Sequence, residues 1–430
     1  MTTSRYQKSI EFLKRAEASI PLGSQTFSKS RTQYPIGVSP LFIDRARGCH
    51  VWDLDGNRYI DLVNSLAAIT LGYNNKHVNR AVRRQLKKGT LFSLPGVLET
   101  EVAEQIIDLV PSAEMVRFAK NGTDATSAAI RLARAYTGRD HVIFCGYHGW
   151  QDWFVGATTK NKGVPQAVSM LTHKFMYNDL ESLSNLFSKL PNQIAAVILE
   201  PMNSTYPNVG FLEGVRELTH KNGSVLIFDE VVTGFRFDIG GAQKLFNVTP
   251  DLTALGKGIA NGYPLSAVAG NKEIMNEMEN IFFSGTFGGE LLSLASAKAT
   301  IDLYRNIDVC GELHLIGSTL ADGLKQIISG LELENVIEVS GHPTWLFLLW
   351  KSAFGQPVEN IKSFFLQEMF EAGVLVLSTH NVSLGIKKKD ISKVLVAYEL
   401  VLTKLKDSLL SGTLSLRLKC DPVKNLFTIR

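Results

Sequence analysis

The chain predicts an α/β fold: a large domain with a mostly parallel sheet flanked by helices, and a smaller α/β domain after it. Three observations carry this. Short apolar runs at 115–118, 142–145, 194–199, 224–228 and 265–269 alternate with helical stretches between about residues 75 and 310, which is the pattern of strands joined by crossover helices. Polar and glycine-bearing motifs fall where these runs end, at the edge where open α/β sheets bind ligands. The 430 residues, 45% hydrophobic and 20% charged, can bury a large core spread over about two domains.

In chain order, residues 4–18 place Tyr6, Ile10 and Leu13 at helical spacing, as expected of a lid or dimer helix. Phe42-Ile43 and 50–62 read as short strands, the second a hairpin that turns at Asp55-Gly56-Asn57. Residues 1–74 are therefore expected to be an N-terminal segment of the small domain, 75–310 the large domain and 311–430 the C-terminal small domain, with 411–430 a tail packing across it.

Arg117 to Arg139 reads as strand, turn and helix. Asn121, Gly122 and Thr123 make the turn, Ala125, Ala128, Ala129, Leu132 and Ala133 have helical spacing, and Gly138 is the stop. Backbone amides exposed at a helix start bind anions with help from the helix dipole. An ordinary capped helix, with Thr123 or Asp124 satisfying the amides, is the plainer alternative.

Downstream, the strand from Ser224 to Phe228 ends on an acid, Asp229, and Lys257 sits in a glycine-flanked turn after Leu252, Ala254 and Leu255. A lysine amine in a partly desolvated site forms a Schiff base with a carbonyl. A strand-end carboxylate can pair with a protonated pyridine nitrogen, and the two together meet the needs of pyridoxal phosphate. Taken singly, such a lysine is more often solvated and such an acid more often a helix cap. Their order, with an anion turn upstream, favours the cofactor.

The chain resembles the class III, fold-type I pyridoxal-phosphate aminotransferases, within the group that includes glutamate-1-semialdehyde 2,1-aminomutase. The resemblance rests on Asn121-Gly-Thr-Asp-Ala, Gly146-Tyr-His-Gly149, Ile198-Leu-Glu-Pro201, Asp229-Glu-Val-Val-Thr-Gly-Phe-Arg236, Leu255-Gly-Lys-Gly258 and Gly285-Thr286, and runs from about Leu22 into the C-terminal region. It implies a seven-stranded-type sheet in the large domain and two catalytic residues, Lys257 and Asp229. Lys257 is expected to tether the cofactor and, once displaced by the substrate amine, to move the α-proton. Asp229 is expected to keep the pyridine nitrogen protonated, Val231 to pack on one ring face and Tyr147 to stack on the other. Asn121, Gly122 and Thr123 are expected at the phosphate. Thr286 matches a threonine that reaches the phosphate of the neighbouring subunit, which implies a homodimer with shared active sites.

Three departures bear on substrate. Asn121 stands where the family's phosphate turn usually has serine. Lys29 stands in the place of an arginine that grips the substrate carboxylate in the aminomutase, and a point charge does not replace a bidentate fork. Asn381 stands where the aminomutase has a late glutamate. These changes favour transfer from an amino donor to a separate carbonyl acceptor over intramolecular amino transfer to 5-aminolevulinate, which stays the alternative. His380 and Asn381 suit hydroxyl groups, as on a sugar or polysaccharide precursor, or else form a strand-end turn. Glu200, at a strand end, is expected to line the site. The intact Lys257, Asp229 and Thr123 argue against a cofactor-binding protein without catalysis.

A net charge of +4 with a single run of three cations, Lys387-Lys-Lys389, gives no nucleic-acid footprint. Cys49, Cys145, Cys310 and Cys420 have neither metal-like nor disulfide-like spacing. His148 and Asp152, four apart, are too few for a metal site, so no metal is expected. Without an apolar signal core or membrane-length stretch, a cytoplasmic protein is expected. Gly163-Val-Pro165, in the polar loop 157–168, resembles the family's gating loop, and Glu230 reads as structural.

Overall fold

The fold is taken from a computed structural model that describes residues 5–424. It divides into two compact units: the chain up to Asn75 joined by the chain from Glu312 onward, and Lys76–Gly311.

The first unit begins with the helix Gln7–Glu17. Asp55 satisfies its first turn, accepting from the amides of Lys8 at 2.7 Å and Ser9 at 3.0 Å. Strands β1 (Ile43–Arg47), β2 (His50–Asp53) and β3 (Arg58–Asp61) form an antiparallel meander. Its β2–β3 turn is the expected one: Gly56 has φ 89° and Asn57 donates its amide to Asp53 Oδ1 at 2.7 Å.

Lys76–Gly311 holds the large sheet. Its strands are β4 (Met115–Ala119), β5 (His141–Cys145), β6 (Thr172–Lys174), β7 (Ile194–Leu199), β8 (Val225–Glu230), β9 (Leu252–Leu255) and β10 (Ser266–Gly270), in the seven-stranded order β4-β10-β9-β8-β7-β5-β6. Only β10 opposes its neighbours, so the other six strands point the same way. Side chains alternate between two apolar layers. Ala196, Ile198 and Ile227 join Ala129, Leu132 and Ala133 of the helix Gly122–Thr137 on one face. Val197, Leu199, Leu226 and Phe228 join Leu183, Phe211 and Val215 on the other. Burial on both faces explains why β7 (IAAVIL) reads as an unbroken apolar run rather than an alternating one. Gly138, at φ 66°, ends the helix as expected. Two strands were not anticipated. β6 is a three-residue edge strand, and β9 is a four-residue apolar run too short for periodicity to define.

In the first unit, β11 (Ile337–His342), β12 (Trp345–Trp350) and β14 (Thr379–Asn381) form a second antiparallel sheet, and β13 (Val374–Leu375) adds in parallel to β3. The helices Val358–Glu371 and Lys388–Leu410 pack together. Up to residue 424 the expected tail does pack on its own unit: Lys419 donates its amide to Gln367 and Val423 its amide to Ser363, each at 2.8 Å. Residues 425–430 lie outside the described residues. Among the described residues, no helix is long and apolar enough to cross a membrane.

Candidate active site

Because β4, β5, β7, β8 and β9 run in one direction, the segments leaving their C-terminal ends share one edge of the sheet. That edge collects Asn121–Thr123 after β4, Gly146–Gly149 after β5, Glu200 after β7, Asp229 in the last turn of β8 and Lys257 after β9.

Asp229 is 5% exposed and fixed at both oxygens. Oδ1 accepts the Val231 amide at 3.1 Å, and Oδ2 faces His148 Nδ1 at 2.8 Å. The other ring nitrogen of His148 faces the Cys145 carbonyl at 3.1 Å. A carbonyl only accepts, so Nε2 is the donor there, and one proton must lie between Nδ1 and Oδ2. Trp153 stacks on the imidazole at 6.1 Å and 17°, and Phe144 meets it edge-on. The carboxylate is thus set in one orientation before any ligand binds.

Lys257 opens the turn after β9 at φ 42°, a left-handed conformation that costs a non-glycine residue about 1 kcal/mol or more and is characteristic of functional sites. Burial lowers its ammonium below an ordinary lysine; Glu200 and Asp229 pull it back up, and Arg236 lowers it again. Burial also pushes Arg236 down, to about 10. Glu200 accepts the Tyr147 amide at 3.1 Å, and burial followed by repulsion from Asp229 raises its carboxyl above the usual range.

At the start of the helix Gly122–Thr137, Asp124 reaches back to the amides of Lys120 and Asn121 at 3.2 and 2.8 Å. Gly122 and Thr123 begin the first helical turn, whose amides a helix cannot pair internally. A Cβ at Gly122 would stand 2.8 Å from Val231 Cγ1, and one at Gly149 would strike Thr123, so both glycines let the backbone close around this turn. Thr123 Oγ1 accepts the Trp150 amide at 3.2 Å. Tyr147 is held edge-on by Phe154 at 5.5 Å and is 49% exposed.

This donor set fits pyridoxal 5'-phosphate. A desolvated primary amine, a fixed carboxylate, a branched aliphatic side chain, an exposed aromatic ring and a dipole-favoured helix start stand on one sheet edge, matching the aldehyde, ring nitrogen, ring faces and phosphate.

The remaining expected residues are placed as follows. Asn121 is exposed, and its carbonyl accepts the Ser266 hydroxyl at 2.7 Å. Thr286 is exposed and lines a cavity of about 420 Å³ with Lys120, Arg131, Gln151 and Phe282. Lys29 lies in the first unit, exposed, with Asp61 as a charge neighbour. His380 is fully buried with Nε2 on the Tyr398 hydroxyl, and Asn381, 2% exposed, donates to the Val63 carbonyl at 2.8 Å. Glu230 is indeed structural: it accepts from Thr233 Oγ1 at 2.8 Å and from the Ala242 and Gln243 amides.

Sequence reasoning missed the role of His148 beside Asp229. Its position directly after Tyr147 was the available signal. His148→Ala is expected to slow Cα-proton removal about 10- to 100-fold, the usual effect of losing a group that orients a functional residue, while cofactor absorbance persists. Single-turnover kinetics beside a thermal melt check this. An unchanged rate would mean that Asp229 is held without His148.

Comparison with known proteins places this geometry. The Aminotransferase class-III family description matches residues 33–398. A glutamate-1-semialdehyde 2,1-aminomutase from Syntrophobacter fumaroxidans is 43% identical over 317 residues, 70% of this chain and 73% of that protein. Among solved structures, the PLP internal aldimine form of the Sphingopyxis sp. MTA144 FumI protein superposes with a TM-score of 0.87 at 26% identity, covering 97% of this chain and 98% of that one. An omega-transaminase from Sphaerobacter thermophilus superposes with a TM-score of 0.84 at 27% identity, covering 92% and 97%.

Proposed function

The chain belongs to the class-III aminotransferases, enzymes whose cofactor is pyridoxal 5'-phosphate, and from that premise we propose that it moves an amino group between an amino donor and a separate carbonyl acceptor, with Lys257 and Asp229 as its catalytic residues. The observation that carries this assignment is the desolvated Lys257 amine, held in a strained turn on the sheet edge it shares with a doubly anchored Asp229.

When bound, the cofactor supplies a pyridinium ring that takes up the electron pair left when a substrate Cα–H bond breaks. The chain does the rest. Lys257 Nζ is the tether and, once displaced, the base that carries the proton from Cα; burial holds its ammonium low enough to release protons more readily than a surface lysine. The Asp229 carboxylate, oriented by His148 and the Val231 amide, keeps the ring nitrogen protonated. Tyr147 and Val231 hold the ring between them. Asn121, Gly122 and Thr123 bind the phosphate. Glu200, its carboxyl raised by burial, is a hydrogen-bonding group beside the lysine.

Transfer between two molecules is favoured by Lys29, an exposed point charge where a guanidinium fork would clamp a semialdehyde carboxylate. The 43% identical relative favours the second reading, intramolecular amino transfer yielding 5-aminolevulinate. A sugar substrate loses its support, because both residues expected to read hydroxyls are buried with side-chain atoms bonded inside their own unit. Half-reactions decide between the two main readings. Holoenzyme is mixed singly with glutamate, alanine or glutamate-1-semialdehyde, and the visible band is followed. Conversion by glutamate or alanine with release of a keto acid supports transfer between molecules. Reaction with the semialdehyde alone, giving 5-aminolevulinate without a second substrate, overturns it.

We further propose a cytoplasmic homodimer in which Thr286 completes the partner's phosphate site. Mixing Lys257→Ala with Thr286→Ala protein should then restore activity, because a mixed dimer has one fully intact site. No gain over the parental variants would contradict sharing.

A further inference from the structure

Folding of the first unit brings together three groups that the sequence keeps far apart. Cys49 and His50 are neighbours in the chain, and successive residues of a strand normally point to opposite faces. Here Cys49 precedes β2 on the turn at Gly48, φ 62°, and its Sγ stands 3.5 Å from His50 Nδ1. Asp390, from the first turn of the helix Lys388–Leu410, stands with Oδ1 at 3.4 Å from His50 Nε2. One donor atom from each residue lies within 4.8 Å of the others.

Cys49 is fully buried and Asp390 is 2% exposed. Asp390 Oδ2 is engaged, accepting the Lys387 amide at 3.0 Å, but the buried Oδ1 has no hydrogen bond of normal geometry and points into the cluster. Leaving such an oxygen unpaired costs about 1–3 kcal/mol, and a cation would offset that cost. The His50 ring lines a cavity of about 560 Å³, which gives a route from solvent.

We propose that Cys49, His50 and Asp390 form a divalent-cation site of the zinc type, with a fourth position open toward this cavity. The donor chemistry is right, since thiolate, imidazole and carboxylate are the three zinc ligand classes. The spacing is right as well, because metal–ligand bonds of about 2.0–2.3 Å put tetrahedral donors about 3.3–3.7 Å apart. Burial and then Arg58 favour the neutral imidazole that a ligand must be, against the pull of Asp390. Burial and Asp390 push the Cys49 thiol up to about 12, so uptake forms the sulfur–metal bond as the S–H proton leaves for solvent. Thiolate and carboxylate then cancel the charge of the ion, which suits a site flanked by Arg58, Lys389 and Lys393.

The probe is Zn²⁺ alone. Holoenzyme is incubated with excess zinc, desalted and assayed for metal per chain, beside Cys49→Ala and His50→Gln variants whose folding is checked by circular dichroism. About one zinc per chain in the unsubstituted protein, with at least ~10-fold weaker retention in a folded variant, is the expected result. Co²⁺ in place of zinc should add thiolate charge-transfer absorption that Cys49→Ala lacks. If Cys49→Ala fails to fold, His50→Gln, at a partly exposed ring, carries the comparison. No retained zinc in the unsubstituted protein, or equal retention in both variants, overturns the proposal. Neither result depends on which amino donor the enzyme uses.

Discussion

Lys257→Ala lowers amino transfer by at least about 10⁴-fold, the upper end of what a positioned general base contributes, and removes the visible band of the lysine-bound cofactor. Two losses coincide in this variant. The covalent tether goes, and so does the amine that takes the Cα proton. The effect is expected to be large because nothing nearby substitutes. Glu200 has a raised carboxyl but is already committed to the Tyr147 amide, Asp229 is engaged at both oxygens, and Arg236 is a cation. Removal also relieves the strained backbone at φ 42°, so the folded protein should be no less stable than its parent. A variant that folds, keeps the band and turns over normally would remove Lys257 from the role.

Asp229→Asn lowers Cα-proton removal by about 10²–10³-fold, the typical cost of deleting one preorganised electrostatic partner. The tether at Lys257 is untouched, so cofactor absorbance persists while the rate falls, separating this variant from the first. The amide is nearly isosteric but carries no charge to stabilise a protonated ring nitrogen. Its effect on stability should also be measurable. His148 is fully enclosed, and its Nδ1 loses a carboxylate partner, which costs about 1–3 kcal/mol for a buried polar group. Asp229→Glu keeps the charge but moves it by a methylene, and is expected to fall between the two. Near-normal rates in Asp229→Asn would mean that the ring nitrogen is handled by another group.

Much of the large sheet was legible because its signals are local. β7 and β8 are apolar runs bounded by polar motifs, and the helix Gly122–Thr137 has its turn, its small-residue face and its glycine stop in one continuous stretch. The candidate site followed from strand ends, since the lysine, the two carboxylates and the phosphate turn each sit just beyond an apolar run. What stayed hidden is long-range. His148 meets Asp229 across 81 positions of sequence, and nothing local to either announces the pair. Cys49 and His50 meet Asp390 only after β2 and the helix Lys388–Leu410 pack in one unit. His380 and Asn381 looked available for a ligand because they end a short β segment. Cross-strand pairing with β12 and the Tyr398 hydroxyl bury them, and a three-residue strand carries too little pattern to reveal that.

The most direct test of the central claim is borohydride reduction of the native holoenzyme followed by peptide mass mapping. Reduction fixes the cofactor covalently to whichever amine holds it. The expected result is a pyridoxyl group on Lys257 and on no other lysine, at about one per chain. Label on a different lysine, or none on a protein that still transfers amino groups, would contradict the account.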